Sequence, residues 1–215
     1  MTDQTAIFAP AGARASTATI FGQVMFLVAI AIGFLALGTY VGRDLAYGTA
    51  RILSFAGFGM LLISGFGGER FRVGPFALVW LFATALVIGL GLGPILYLMI
   101  EENPAAVTQA AGGTALIVAA MGSLGFVLSK DLAAWMRPLS FLVFAAVIVS
   151  LVMLLFTSGG NPIISLVILV LSAVLIMVDF NYVRKHATED DVIWLATGIF
   201  VSIVNIFISL LNLSR

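Results

Sequence analysis

Cysteine does not occur in the 215 residues, which removes disulfides, thiolate metal ligands and a cysteine nucleophile together. Charge is nearly as scarce, since ten Lys or Arg and ten Asp or Glu make up 9% of the chain and sum to zero. No basic field exists for nucleic acid and no acidic run for a cationic partner. The single histidine, His186, sits beside Glu189, Asp190 and Asp191 in a polar stretch. One imidazole and no thiol assemble neither a histidine metal site nor a Ser-His-Asp triad. The motifs H-E-x-x-H and G-x-S-x-G are also missing. Gly89-Leu90-Gly91-Leu92-Gly93-Pro94 has the glycines of a phosphate loop but lies in an apolar run without the lysine. It predicts a weakened or kinked helix at Gly93 and Pro94 instead. These shortages predict a protein that is not an enzyme and carries no cofactor.

What the chain has in abundance is apolar surface: 62% hydrophobic residues and a mean hydropathy of +1.19. Too little polar surface remains to cover a soluble globule, so lipid must be the solvent. A helix needs about 20 apolar residues to cross roughly 30 Å of hydrocarbon. Seven runs qualify, over 20–41, 47–66, 74–99, 105–128, 138–157, 162–182 and 192–213. The first is too long for the apolar region of a signal peptide and lacks a convincing A-x-A site. The expectation is an all-α polytopic membrane protein, a seven-transmembrane-helix bundle. Residues 1–18 are expected to form a flexible cytoplasmic N-terminal tail, and 19–215 a single domain with short loops. With the N-terminus inside, the inner loops hold Arg14, Arg70, Arg72, Lys130, Arg137, Arg184 and Lys185, whereas Arg43, Arg51 and Arg215 fall outside. This bias predicts an N-in, C-out orientation.

Small residues predict close helix packing, since lipid gives helices no hydrophobic reason to associate. Gly38 and Gly42 form G-x-x-x-G near the end of the first span, and Ala111, Ala115, Ala119 and Gly122 share one face of the fourth. Both patterns are expected to be ordinary helix contacts.

The residues that break the apolar pattern are more informative. Asp179 is the one acidic residue well inside a predicted span, and an intramembrane carboxylate costs several kcal/mol unless neutral, paired or wet. Ser165, Ser172 and Asp179 recur every seven residues and so share a helix face. In the last span Gly198, Ser202, Asn205, Ser209 and Asn212 form a polar stripe among Ile, Val, Phe and Leu. Two polar seams joined by a short loop can face each other. Either they line a pathway or they are hydrogen-bonding glue, and Asp179 either serves that seam or snorkels to the interface to meet Arg184.

Four stretches carry a family resemblance: Gly93-Pro94-Ile95, Gly112-Gly113-Thr114-Ala115, Ser129-Lys130-Asp131-Leu132, and the pair Asp179-x-Asn181 with Asn205-Ile206-Phe207. From about residue 90 onward the chain resembles the Bax-inhibitor-one family, also called the transmembrane Bax inhibitor motif family, and within it the bacterial YccA branch. The resemblance implies a seven-helix, N-in bundle in a bacterial inner (plasma) membrane. It also implies two functions: association with an FtsH-type AAA membrane protease in membrane-protein quality control, or a pH-sensitive leak of calcium or other cations. The leak depends in the family on two intramembrane carboxylates. Asp179 matches the first, while Ser202 stands where the second would be. That departure favours the protease-associated reading, with the alternative a leak gated by Asp179 and lined by Ser172, Asn181, Ser202 and Asn205. Calcium would then be a transported ion and not a cofactor.

Overall fold

The computed structural model describes residues 16–156 and 161–214. Seven helices long and apolar enough to cross a membrane are present among them: α1 (Thr17–Gly42), α2 (Tyr47–Phe66), α3 (Gly74–Glu102), α4 (Pro104–Val127), α5 (Ala133–Phe156), α6 (Pro162–Lys185) and α7 (Val192–Leu213). Each agrees with an expected span to within a few residues. The first fifteen residues of the expected tail lie outside the described residues, as do Arg14 and Arg215.

Local chemistry sets several starts. Ser16 caps α1 by accepting from the Thr19 amide at 3.2 Å. Both α4 and α6 open on Asn-Pro: Asn103 accepts from Ala106, and Asn161 from Ile163 and Ile164. The proline then occupies the first helical position, where its missing N–H leaves nothing unsatisfied. Between α2 and α3, Gly68 and Gly74 turn the chain at φ 75° and 88°, in the left-handed region that a side chain strains to reach.

Glycine decides which helices lie closest. A β-carbon on Gly38 or Gly42 would strike the α3 backbone at Leu86 or Leu90, and one on Gly89 would strike Leu35 of α1. Gly91 admits Ser54 of α2, and Gly125 of α4 admits the Met177 backbone of α6. At Gly93 and Pro94, where the sequence suggests a weakened or kinked helix, α3 is continuous from Gly74 to Glu102. Its glycines there serve close approach to α1 and α2. Pro94 has no amide for the Leu90 carbonyl, and that carbonyl faces Gly42.

The fourth-span stripe is corrected. Gly122 does pack, against the Phe180 ring, but Ala111, Ala115 and Ala119 are exposed along a lateral cleft between α1 and α4. α4 makes its helix contacts instead through the neighbouring face of Ala110, Thr114 and Gly125. The core centres on α6 and α7, whose spans are the most buried, and α1, α3, α4 and α5 wrap them.

Candidate functional site

α6 and α7 form an antiparallel pair whose register follows from one contact. Asp179 Oδ2 lies 3.6 Å from the point a β-carbon on Gly198 would occupy. Each step of seven residues toward the start of α6 is then matched by a step of seven toward the end of α7, about 10 Å at a time. Ser172 therefore stands level with Asn205, and Ser165 with Asn212. Ser202 falls between the first two levels, one turn beyond Gly198. The two stripes legible in the sequence are one seam.

That seam is buried and undersupplied with partners. Asp179 is 5% exposed, Ser172 0% and Ser202 1%, and Asn205 is partly buried. Among the described residues, the buried side-chain atoms without a hydrogen-bond partner are Ser172 Oγ, Asp179 Oδ2, Ser202 Oγ and Asn205 Nδ2. All four lie on this seam. A buried polar atom left unmade costs about 1–3 kcal/mol. Four in one place leave the seam with unused hydrogen-bonding capacity. Phe200, Ile199, Ile206 and Ile176 on the same two helices are fully buried.

Burial also decides against snorkelling. Asp179 makes no ion pair among the described residues, and Arg184 donates elsewhere, to the Leu128 carbonyl at 2.9 Å. Asp179 sits six residues before the end of α6, about 9 Å in.

Asn181 does not join the set. Two residues past Asp179, it points about 200° round the helix. Its Nδ2 donates to the carbonyls of Gly125, Leu128 and Lys130 at 3.0, 3.2 and 3.2 Å, and its Oδ1 accepts from the Leu132 amide at 2.9 Å. It therefore clasps the loop between α4 and α5 to α6. Lys185 joins by donating to the Ser129 carbonyl. His186 meets Asp131 at 2.6 Å, so its partner comes from this loop and not from the neighbouring acids. The Asp131 carboxyl is held below the usual carboxylate range, first by the Ala133 amide and then by His186. Sequence reasoning noted Ser129-Lys130-Asp131-Leu132 only as a motif. Its docking role has no local signal, because the bonds from Asn181, Arg184 and Lys185 go to backbone carbonyls more than fifty residues away.

This geometry can be set beside known proteins. The family described as Inhibitor of apoptosis-promoting Bax1 matches residues 17–214. The chain is also similar to the uncharacterized protein PA2604 of Pseudomonas aeruginosa, 28% identical over 194 residues that cover 87% of this chain and 84% of that one. With seven apolar helices and a match over all of them, the chain belongs to the Bax inhibitor-one family of multi-pass membrane proteins.

Proposed function

We propose that the protein is a pH-sensitive cation leak of a bacterial inner membrane, oriented N-in and C-out, with Asp179 as its gate. The observation that carries this reading is the set of four unpartnered buried polar atoms on Ser172, Asp179, Ser202 and Asn205. Asp179 is the one buried acid among the described residues, so its ionisation creates the negative site that a cation requires. The hydroxyls of Ser172 and Ser202 and the amide of Asn205 supply further dipoles along the same line. Calcium asks for about six to eight oxygens, more than one carboxylate, two hydroxyls and an amide provide. An ion would keep part of its water and bind weakly, as conduction demands.

The sign is fixed by charge. Protonated Asp179 attracts no cation, so flux rises with pH as the carboxyl ionises. Calcium uptake into proteoliposomes between pH 6 and pH 8 tests it: the native chain should gain flux with pH, and Asp179→Asn should be low and flat. Equal flux from both proteins would sink the gate.

A second reading rests on Ser202, which stands where the family resemblance implies a second carboxylate. Without a proton-sharing pair, a non-enzymatic role beside an FtsH-type protease gains weight. Co-purification with tagged protease and slower turnover of membrane substrates would support it. Unchanged turnover after deletion counts against it.

A further inference from the structure

The cleft between α1 and α4 serves none of this. It holds about 1430 Å³ and runs most of the height of the bundle. One end is lined by aromatic rings, where Phe21 meets Phe126 and Phe180 edge-on at 5.5 and 5.4 Å. The other end opens beside Arg43, the single charged residue of its described lining. The Arg43 guanidinium stands 4.5 Å over the Tyr40 ring and 3.2 Å from the Asp44 carboxylate. Tyr97 lines the same mouth, where its hydroxyl meets the carboxylate of Glu101 one turn later on α3, and it lies within electrostatic reach of Arg43 and Asp44. Both signs of charge therefore ring the entrance to an otherwise apolar slot.

The geometry points to a phospholipid site, with acyl chains in the cleft and a zwitterionic amine headgroup at its mouth. Phosphate meets Arg43, and the ammonium turns to Asp44 and Glu101. Charge favours this over an anionic headgroup, which would satisfy the arginine and oppose the acids. Two acyl chains of about 32 carbons in total need on the order of 1000 Å³, at roughly 30 Å³ for a heavy atom with its hydrogens. Tyr40 and Tyr97 at the open end match the aromatic belt that marks headgroup depth.

The test is lipid retention by the full chain, purified in mild detergent from membranes containing both phosphatidylethanolamine and phosphatidylglycerol and read by native mass spectrometry. One phospholipid should stay bound per chain, with the ethanolamine lipid enriched about threefold over the membrane. The double variant Ala115→Trp, Ala119→Trp fills the slot and should lower retention about tenfold with helix content unchanged. Arg43→Ala, outside the helices, should weaken retention severalfold, and Glu101→Gln should erase the headgroup preference. Ala115→Cys gives the chain its only thiol, and thiol cross-linking in membranes should leave it monomeric. No retained lipid, or retention unchanged in both the double variant and Arg43→Ala, overturns the site. A cross-linked dimer, or a cross-link to another membrane protein, also overturns it and assigns the cleft to a helix.

Discussion

Asp179 on α6 and Gly198 on α7 face each other across the seam, with 3.6 Å between the carboxyl Oδ2 and the place of a β-carbon on the glycine. That distance is ordinary van der Waals contact. Gly198→Ala should therefore fit, and by replacing glycine inside a helix should stabilise the bundle by about 0.5–1 kcal/mol. Gly198→Leu should instead cover the carboxyl and abolish calcium uptake. Thermal unfolding in detergent with proteoliposome flux separates the two effects, and a fully conducting, folded Gly198→Leu would remove the seam from any pathway.

A contrast between glycines tests the packing account. A methyl on Gly89 meets the Leu35 backbone, whereas one on Gly22 meets nothing within 4 Å. Gly89→Ala should cost about 1–3 kcal/mol through forced separation of α1 and α3. Gly22→Ala should gain up to about 1 kcal/mol. Equal unfolding midpoints for the two variants would mean that the close approach of α1 and α3 is not what holds them.

Asn181→Ala removes four hydrogen bonds that tie α6 to the last turn of α4 and the loop after it, and strands buried backbone groups. A loss of about 2–4 kcal/mol is expected, with faster proteolysis around Ser129 to Leu132. The same variant separates clasp from seam. If Asn181 serves only the loop, the pH dependence of flux in the surviving folded protein should match that of the native chain.

How much of this was legible beforehand differs by element. The spans, and the faces of Ser172 with Asp179 and of Ser202 with Asn205, follow from hydropathy and helical period. The motif it shares with Asp179 groups Asn181 with the lining residues, although a separation of two residues already sends it to the opposite side of a helix. The His186 and Asp131 contact joins positions 55 residues apart and had no local signal. The Ala111, Ala115 and Ala119 stripe has the spacing of a helix interface, and nothing in its own residues says that α1 diverges from it.

Acid should loosen the loop clasp. Asp131 is held below the usual carboxylate range by the Ala133 amide and His186, so its ionised form favours the folded loop. The sign follows: the contribution is present above the unfolded carboxylate value of about 4 and is lost as pH falls through the lower folded value. Hydrogen exchange at residues 128–132 should accelerate in that window. Asp131→Asn should flatten the acceleration, and an unchanged acid response in that variant would exclude this carboxyl as its origin.

Ser202→Asp restores the second acid that the family pattern implies and tests whether a single carboxyl sets the pH response. Residue 202 follows Gly198 by one turn, which places a new carboxyl one turn along the seam from Asp179 in the same low-dielectric setting. Two acids so close share protons, and the pair releases them in two macroscopic steps. The flux profile of the native chain should rise through one step, and that of Ser202→Asp through two, measured as calcium uptake from pH 5 to pH 9. Asp179→Asn in the Ser202→Asp background should return a single step, now carried by position 202. If Ser202→Asp keeps the native profile while remaining folded, the serine lies off the ion's route, and the gate would have to be argued from Asp179 and Asn205 alone.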